Sequence, residues 1–581
     1  MVKAMPHPDE YGAPPTAADT VVIPTIEPDT VLIPKVTVPD PPHEIDDSPR
    51  SVARNSAVMA LGSIVSRAIG FLRTAAIGAA LGAELVGDDY ATANTLPNMV
   101  FELLVGGVLA SVIVPVLVRA KKQDADGGQA FAQRLLTLAM VFFGAATVIA
   151  VTAAPLLTAL VVGDDATAAD RELTTLLAYL LLPEIFFYGM AALIAALLNA
   201  RGHFAAPMWT PILNNIVVIM TAGLFALLHT GTIEAASITN AEILVLGVGT
   251  TSGIVVQALG LLPALRRVGF RWKLRWDFRS LGLGELARLG SWMLLYVAGS
   301  QIGVLVTLRI ARWAGDQGAP GPAIYTNAFL IFMMANGIVA VSIGTALMPR
   351  MSSAAADGRL ADLAAQLSLG TRLSAVILMP TAAVYIVLGR PLAVTLFQWG
   401  AYRHEQALDT GVVIAFAGLA LVPYAVSQLQ TFAFYALSDT RVPALVNVPV
   451  VAFRLAVAGL LVLLLPAEWI VAGLMGVSAA SFVLAIGLGY WLLRRRIGRI
   501  GLAHIATTLV KLGIAAAAGA VAAGLVLVVL IGMLGDGKVA SMIQLAVGGL
   551  VLVIGYWAAA ILLRIGEIRE VGRMVAGRLR R

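Results

Sequence analysis

Apolar residues cluster along this chain into long runs separated by short polar stretches. Each run reaches about 20 residues or more, the length a helix needs to cross about 30 Å of hydrocarbon. About fourteen such runs are predicted on that criterion. They lie near residues 55–82, 92–119, 133–162, 173–200, 208–230, 242–265 and 287–313 in the first half. The second half adds 322–349, 365–389, 406–437, 442–465, 468–494, 503–534 and 538–565. The pattern predicts an all-α polytopic membrane protein with about 14 transmembrane helices.

Residues 1–54 read differently. They hold eleven of the 27 prolines, and nine acidic residues against four basic ones. Such a segment buries too little apolar surface to offset its ordering entropy, so a disordered, Pro-rich acidic tail is expected. It is not a signal peptide, because no positive n-region leads into an apolar core with a cleavage site. The short apolar pieces at 21–24 and 31–34 could each add a strand to a partner.

Loop charge alternates along the chain. One set of loops carries Arg119, Lys121, Lys122, Arg201, the run Arg266 to Arg288, Arg350, Arg359, Arg441 and Arg494 to Arg496. The other set carries Asp88, Asp89, Asp164, Asp165, Glu234, Asp316 and Asp536. Roughly 25 basic residues against about four is a positive-inside bias. It predicts a multi-pass protein of the plasma (inner) membrane with both termini cytoplasmic.

Composition narrows the function classes. The chain is 59% hydrophobic and 13% charged, with a mean hydropathy of +0.87. After the spans and the tail, no room remains for a soluble catalytic domain of about 100–150 residues. The chain has no cysteine, which removes disulfides, thiolate metal sites and cysteine nucleophiles. Six histidines are scattered, and no HExxH pair, Walker loop or GxSxG elbow stands in a fitting context. A transporter is expected rather than an enzyme, with no nucleic-acid partner.

A weak internal repeat has an offset of about 236 residues. Ala154-Pro155-Leu156-Leu157-Thr158 matches Arg390-Pro391-Leu392-Ala393-Val394 in setting. Leu198 to Phe204 with Pro207 match Phe434 to Thr440 with Pro443, each joining a fourth span to a fifth. Six spans separate the copies, so the halves share one orientation. Two six-helix lobes related by a pseudo-two-fold along the membrane normal are expected, with cargo between them near the midplane. The division is an N-lobe at 55–265, a basic cytoplasmic linker at 266–286 and a C-lobe at 287–497. Two further spans follow at 503–565, then a basic cytoplasmic end at 566–581.

Several charges fall where charge is expensive. A charged side chain at the bilayer centre costs roughly 2.5–3.5 kcal/mol on insertion scales, so one that persists faces a cavity or a partner. Arg67 lies about 18 Å into the first span at 1.5 Å per residue. Glu102 reaches a similar depth from the other direction, so the two could pair. Glu184 and Arg454 are also near mid-depth. Arg73 lies about 9 Å beyond Arg67 and about 120° round the helix, with Gly70 between them. Structural ion pairs would account equally well for Glu102, Glu184 and Arg454. Arg309 and Arg312 share a helix face near a span end and could snorkel, as could Arg372 and Lys511. A cationic cavity suits an anion, and guanidinium suits phosphate because its planar fork binds two oxygens.

The first span reads Ser66-Arg67-Ala68-Ile69-Gly70-Phe71-Leu72-Arg73, followed by Asp88, Leu96-Pro97-Asn98, Gly106-Gly107 and Val114-Pro115. Later come Leu198-Asn199-Ala200 with Phe204, Pro207, Pro211 and Asn215, then Ser300-Gln301-Ile302 and Gly344-Thr345 with Pro349. Phe434-Tyr435-Ala436-Leu437 with Asp439-Thr440 and Pro443 completes the set. Over roughly residues 50–565 the chain resembles the MurJ (MviN) family of lipid II flippases, in the multidrug/oligosaccharidyl-lipid/polysaccharide exporter superfamily. The resemblance implies a 14-helix exporter of undecaprenyl-pyrophosphate-linked disaccharide-pentapeptide, working by alternating access for cell-wall synthesis. It implies that Arg67 and Arg73 match positions needed for activity, that Asp88 matches an acidic position at the outer end of the first helix pair, and that the last two spans guide the lipid tail.

The chain also departs from the family. Many members carry arginine just after the segment ending at Asn98, where this chain has Phe101 and Glu102. Many carry an Asp-Arg pair after a tyrosine of the eighth span, where this chain has Tyr325-Thr326-Asn327-Ala328. Either the pyrophosphate is held by fewer arginines, or Arg309 or Arg454 substitutes. The candidate cargo residues are therefore Arg67, Arg73, Asp88, Asn98, Glu102, Arg309, Asn327 and Arg454. No cofactor is expected. Coupling to membrane potential, Na+ or H+ is open, with no ion site identified. Membrane lipids and cytoplasmic cell-wall regulatory proteins at the termini are the expected partners. The basic end Arg578-Leu579-Arg580-Arg581 would suit the membrane segment of a longer chain, since some actinobacterial members continue into a kinase-like domain. The Ala- and Arg-rich, Lys-poor composition suits a high-GC bacterium. The rivals are an exporter of another polyprenyl-linked oligosaccharide, a cation-coupled drug exporter and a membrane scaffold for cell-wall proteins.

Overall fold

A computed structural model describes residues 49–84, 86–105, 126–163, 166–278, 283–498 and 500–567, with isolated positions 117 and 124. Among them every regular element is helical. The expected tail falls outside the described residues up to Ser48, and the first helix already begins at Pro49. The second half of the second span and the last part of the basic end, from Ile568, also lie outside them.

The first lobe contains α1 (Pro49–Leu81), α2 (Val86–Val105), α3 (Gln129–Thr152), α4 (Ala154–Val161) and α5 (Ala168–Leu181). It continues with α6 (Glu184–Ala200), α7 (Ala205–Leu228), α8 (Asn240–Gly260) and α9 (Leu262–Arg267). The second lobe contains α10 (Leu283–Asp316), α11 (Pro322–Ala356), α12 (Leu360–Phe397), α13 (His404–Ala436), α14 (Arg441–Leu464) and α15 (Ala467–Ile497). Two more helices follow, α16 (Leu502–Leu534) and α17 (Lys538–Leu562). Twelve helical segments among the described residues are long and apolar enough to cross a membrane. The two remaining expected spans fall on α1 and α2, so fourteen fits the fold.

The helix ends follow local chemistry. Thr167 and Asp170 form a capping box at the start of α5, and Thr239 and Glu242 form one at the start of α8. Each satisfies two backbone N–H groups that a helix start would otherwise leave bare in an apolar setting. The bundle has two chemically distinct ends. The connections bearing Asp88, Asp89, Glu234, Asp316 and Asp536 define an acidic end, and those bearing Arg201, Arg266, Arg441 and Arg494 a basic end.

The repeat is visible in backbone detail. In the third span of the first lobe, helix geometry breaks at Ala153, just before Pro155. In α12 it breaks at Leu388, just before Pro391, which is 236 residues beyond Pro155. A proline has no N–H to donate and its ring crowds the preceding turn, which explains both kinks. The α6–α7 turn has Gly202 at φ 81°, and the His203 N–H donates to the Leu198 carbonyl at 2.9 Å. The α13–α14 turn has Ser438 at φ 57°, and the Asp439 N–H donates to Phe434 at 2.9 Å. Both are six-to-one helix closures around a left-handed residue. Finally, Asn215 of α7 donates to the Ser66 carbonyl of α1 at 3.4 Å, and Asn447 of α14 donates to the Tyr296 carbonyl of α10 at 2.8 Å.

Helices α16 and α17 stand outside the repeat and dock on α12. Their backbones nearly touch at Gly519 and Gly555, where a Cβ on Gly555 would lie 3.1 Å from the Gly519 Cα. The Tyr556 hydroxyl donates to the Val376 carbonyl of α12 at 2.7 Å. At the basic end Arg372 of α12 pairs with Glu567, which also accepts from Thr508 of α16. Arg372 is therefore held by a partner rather than snorkelling.

Candidate substrate site

A cavity of about 370 Å³ lies between the lobes, beneath the acidic end. Arg67, Gly70, Arg73 and Thr74 of α1 line one wall, with Tyr90, Asn94 and Thr95 of α2 and Asn215 of α7 beside them. Thr326, Asn327, Met333 and Met334 of α11 line the facing wall. Of the eight expected cargo residues, the structure brings Arg67, Arg73 and Asn327 to this cavity.

Arg67 bridges the lobes. Its guanidinium lies flat against Gly337 of α11, where any Cβ would collide with it. Among the described residues it has no ion-pair partner. The expected pair with Glu102 is not made. Depth alone suggested it, but α2 packs chiefly against α5 and α10 rather than along α1. Glu102 is half-buried away from the cavity, next to Phe101, whose ring packs on Tyr188 at 5.5 Å. Asn98 is exposed and also lies off the cavity.

Arg73 belongs to a polar group inside the first lobe. It lies within hydrogen-bonding reach of Tyr90, and its charge acts on buried Glu184. Tyr90 shares a 2.9 Å hydrogen bond with Thr250, and Glu184 accepts from Thr251 at 3.5 Å. Glu184 is thus a buried carboxyl group held by Thr251, and it stands near Arg73 without an ion pair within 4 Å.

Asn327 donates to the Tyr402 hydroxyl at 3.3 Å, and that hydroxyl meets Thr410 at 2.5 Å. These bonds orient the amide toward the cavity. The two other arginines do different work. Arg309 is exposed, and its Nη1 donates to the Ala159 and Leu160 carbonyls at 3.2 and 3.1 Å, at the C-terminal end of α4. A cation at bare helix carbonyls is a favourable cap. Arg454 donates to the Tyr325 hydroxyl at 3.3 Å and does not line the cavity.

Above the cavity the lobes are clasped. Asp88 accepts the Ala323 N–H at 2.7 Å, so a carboxylate of one lobe caps α11 of the other. It fits only because Gly321 has no Cβ. Beside it, Arg312 (3% exposed) pairs with fully buried Asp89, with Asp316 at 2.9 Å, and with Asp170 at 3.8 Å. Thr174 donates to Asp89 at 3.0 Å. Arg312 is therefore a buried interlobe latch, not a snorkelling side chain. On the other side, the Ala401 N–H donates to the Ala79 carbonyl at 2.7 Å, Ala83 donates to Gln406 at 3.3 Å, and Arg403 pairs with Glu84.

Sequence reasoning missed Asn94 and Thr95, the cavity's α2 wall. Tyr90 and Asn94 are one helical turn apart, so a polar stripe in an otherwise apolar span was the available signal. Asp170 was also missed, since a helix-start carboxylate reads as a cap and nothing more.

Residues 77–548 match the family model described as "Lipid II flippase MurJ". The chain is 26% identical over 475 residues to "Probable lipid II flippase MurJ" of Synechocystis sp., covering 80% of this chain and 86% of that protein. It is 26% identical over 454 residues to the protein of the same description from Bdellovibrio bacteriovorus, covering 76% and 82%. Among solved structures, the fold matches "Lipid II flippase MurJ, inward closed conformation" with a TM-score of 0.68 at 16% identity, over 87% of this chain and 99% of that one. It also matches an inward-facing MATE-family transporter of the MOP superfamily, with a TM-score of 0.59 at 15% identity, over 74% and 94%.

Proposed function

The chain belongs to the MurJ family of lipid II flippases, and on that footing we propose how its own residues handle the cargo. The protein is a multi-pass membrane transporter, not an enzyme. It moves lipid II, a peptidoglycan precursor, across the membrane by alternating access for cell-wall synthesis.

The observation that carries the residue-level reading is the pair Arg67 and Arg73 on one wall of a cavity between two lobes. Each guanidinium is a planar fork, and a pyrophosphate offers it a bidentate partner. Arg73 shares its surroundings with Tyr90 and Glu184, while Arg67 has no carboxylate partner among the described residues and is the principal anchor. Asn327, Asn94 and Thr95 supply neutral donors and acceptors suited to the adjoining sugar. A volume of about 370 Å³ is near the low end for ligand pockets, so it takes the charged pyrophosphate and its neighbour rather than the whole disaccharide-pentapeptide. The undecaprenyl tail stays in lipid along the apolar outer faces of α16 and α17.

Loop charge supports the orientation: the basic end faces the cytoplasm, with both termini. The clasp at the acidic end then marks a state closed to the outside. Regulatory proteins of the cell wall would meet the chain at its cytoplasmic termini.

The test uses cells depleted of their own flippase and supplied with this chain. The readout is the fraction of lipid II reached by an enzyme added outside. Wild type should restore it and Arg67→Ala should not, with both expressed equally. Restoration by both would remove Arg67 from the cargo path. Failure of well-expressed wild type would point to a different polyprenyl-linked cargo.

A further inference from the structure

The connection between the lobes is not a slack loop where it leaves the first lobe. Residues 270–278, Phe-Arg-Trp-Lys-Leu-Arg-Trp-Asp-Phe, form an extended strap laid along the start of α3. Gln129 donates to the Gly269 carbonyl at 3.2 Å and Gln133 to the Arg271 carbonyl at 2.6 Å. The Arg275 N–H donates to Thr137 at 3.1 Å, and its Nε to Gln133 at 2.8 Å. Asp277 pairs with Arg134 at 3.5 Å. Gln129, Gln133 and Thr137 stand one helical turn apart on one face of a membrane helix, and this strap uses all three. The held stretch covers about 12 Å of α3 from the basic end.

Its outward side is apolar and basic together. Trp272, Leu274 and Trp276 are 36%, 55% and 66% exposed, with exposed Arg271 just before them and exposed Lys273 between the first two. Such a row is unfavourable in water, while tryptophan settles at the headgroup level of a bilayer. The same band of the molecule carries Arg441 over the Trp292 ring and Arg495 over the Trp491 ring, at 5.1 and 3.8 Å. Immediately before the strap, a cavity of about 330 Å³ opens between the α6–α7 turn and α9, lined by His203, Phe204 and Arg267 among glycine and alanines. Arg201 borders it, held by the Val268 carbonyl at 3.2 Å and stacked over buried Phe270. The strap's one carboxylate is already paired with Arg134, and among the described residues neither Arg267, Arg271 nor Lys273 has an ion-pair partner.

We propose that this cavity and strap form a binding site for an anionic phospholipid of the leaflet at the basic end. The phosphate sits at Arg267 and His203, and the headgroup is framed by Arg271 and Lys273. The glycerol and upper acyl chains lie against Trp272, Leu274 and Trp276. The occupant is a lipid rather than a free phosphate because the aromatic row continues directly from the charged pocket. The site is distinct from the cargo cavity, and it ties the first lobe to one membrane depth where the connection to the second lobe begins.

The test is lipid binding to the purified full chain, read by native mass spectrometry and by the thermal midpoint. Wild type should bind phosphatidylglycerol well ahead of phosphatidylcholine. Arg267→Gln with Arg271→Gln and Lys273→Gln should weaken phosphatidylglycerol binding on the order of 10–100-fold, since each basic group near an anionic surface contributes roughly 1 kcal/mol. Its midpoint in phosphatidylcholine should not move. Arg350→Gln with Arg494→Gln and Arg495→Gln removes equal charge at the same end and should leave the preference intact. Equal losses in the two triple variants would overturn the site, as would full retention in the first. If the first triple variant does not fold, Arg267→Gln alone carries the same comparison. Trp272→Ser with Trp276→Ser should also weaken lipid binding. Competition by millimolar inorganic phosphate as effective as that by lipid would reassign the pocket to a soluble anion and overturn the proposal.

Discussion

The two ends of the bundle are built on opposite plans. At the acidic end, polar bonds run between the lobes: Asp88 to Ala323, Asp89 and Asp170 to Arg312, Ala79 to Ala401, and Glu84 to Arg403. At the basic end, the polar bonds among the described residues stay within one lobe or its attached helices. Arg201 is tied to the Val268 carbonyl, Arg496 pairs with Asp439, and the strap is tied to α3. The lobes are therefore internally braced at one end and mutually fastened at the other. Alternating access requires the fastening to be reversible, and charge-assisted bonds around one arginine are reversible in a way that interlocked apolar packing is not.

The comparison breaks most sharply at Arg312. Arg312→Ala leaves Asp89 buried without its partner, a loss of about 3–5 kcal/mol to the closed state. Because the chain has no cysteine, a single probe can read this. A cysteine placed by Asn327→Cys, beneath the clasp, should resist an impermeant maleimide added at the acidic side in wild type and react in Arg312→Ala. Equal protection in both would mean that Arg312 does not fasten the gate.

Gly321→Ala is the next test. Its methyl group would occupy the position of the Asp88 carboxylate. Overpacking of this kind costs about 1–3 kcal/mol, and here it also displaces a helix cap. The same probe should label faster, with little change in the basic-end lipid preference. A smaller effect, of opposite sign, sharpens the contrast. Ser438 holds a left-handed conformation at the basic end. Ser438→Gly should stabilise the fold by about 1 kcal/mol, seen as a higher thermal midpoint, with gate labelling unchanged. Faster labelling in that variant would show that the two ends are not energetically separate.

Much of the fold was legible because a membrane helix is specified mainly by length and apolar content. The expected runs at 406–437 and 468–494 became His404–Ala436 and Ala467–Ile497, with differences of a few residues at the ends. The repeat was legible because proline and left-handed turns leave direct marks on sequence. The cargo cavity was only half legible. Depth along a helix is one coordinate, and it located Arg67 and Arg73 without saying which way α2 leans. Hence Glu102 was paired with Arg67 on paper and stands apart from it in space. Arg309 and Arg312 share a face three residues apart, yet one caps α4 and the other closes the gate. Their partners, Ala159 and Asp89, come from distant parts of the chain, and nothing local encodes that meeting.

Arg67 and Arg73 have an electrical consequence as well. They ride on one helix, so on the proposed cargo path they would act as gating charges. In the proposed orientation the outward stroke would carry them beside a pyrophosphate, and the return stroke would carry them without the cargo's charge, with Glu184 still beside Arg73. An inside-negative voltage is then expected to accelerate the empty return by up to about 2.3 kcal/mol per charge per 100 mV. Loaded or idle, the flippase should behave as a displacement current in the membrane, inward only when its cavity is vacant, and smaller in Arg67→Ala.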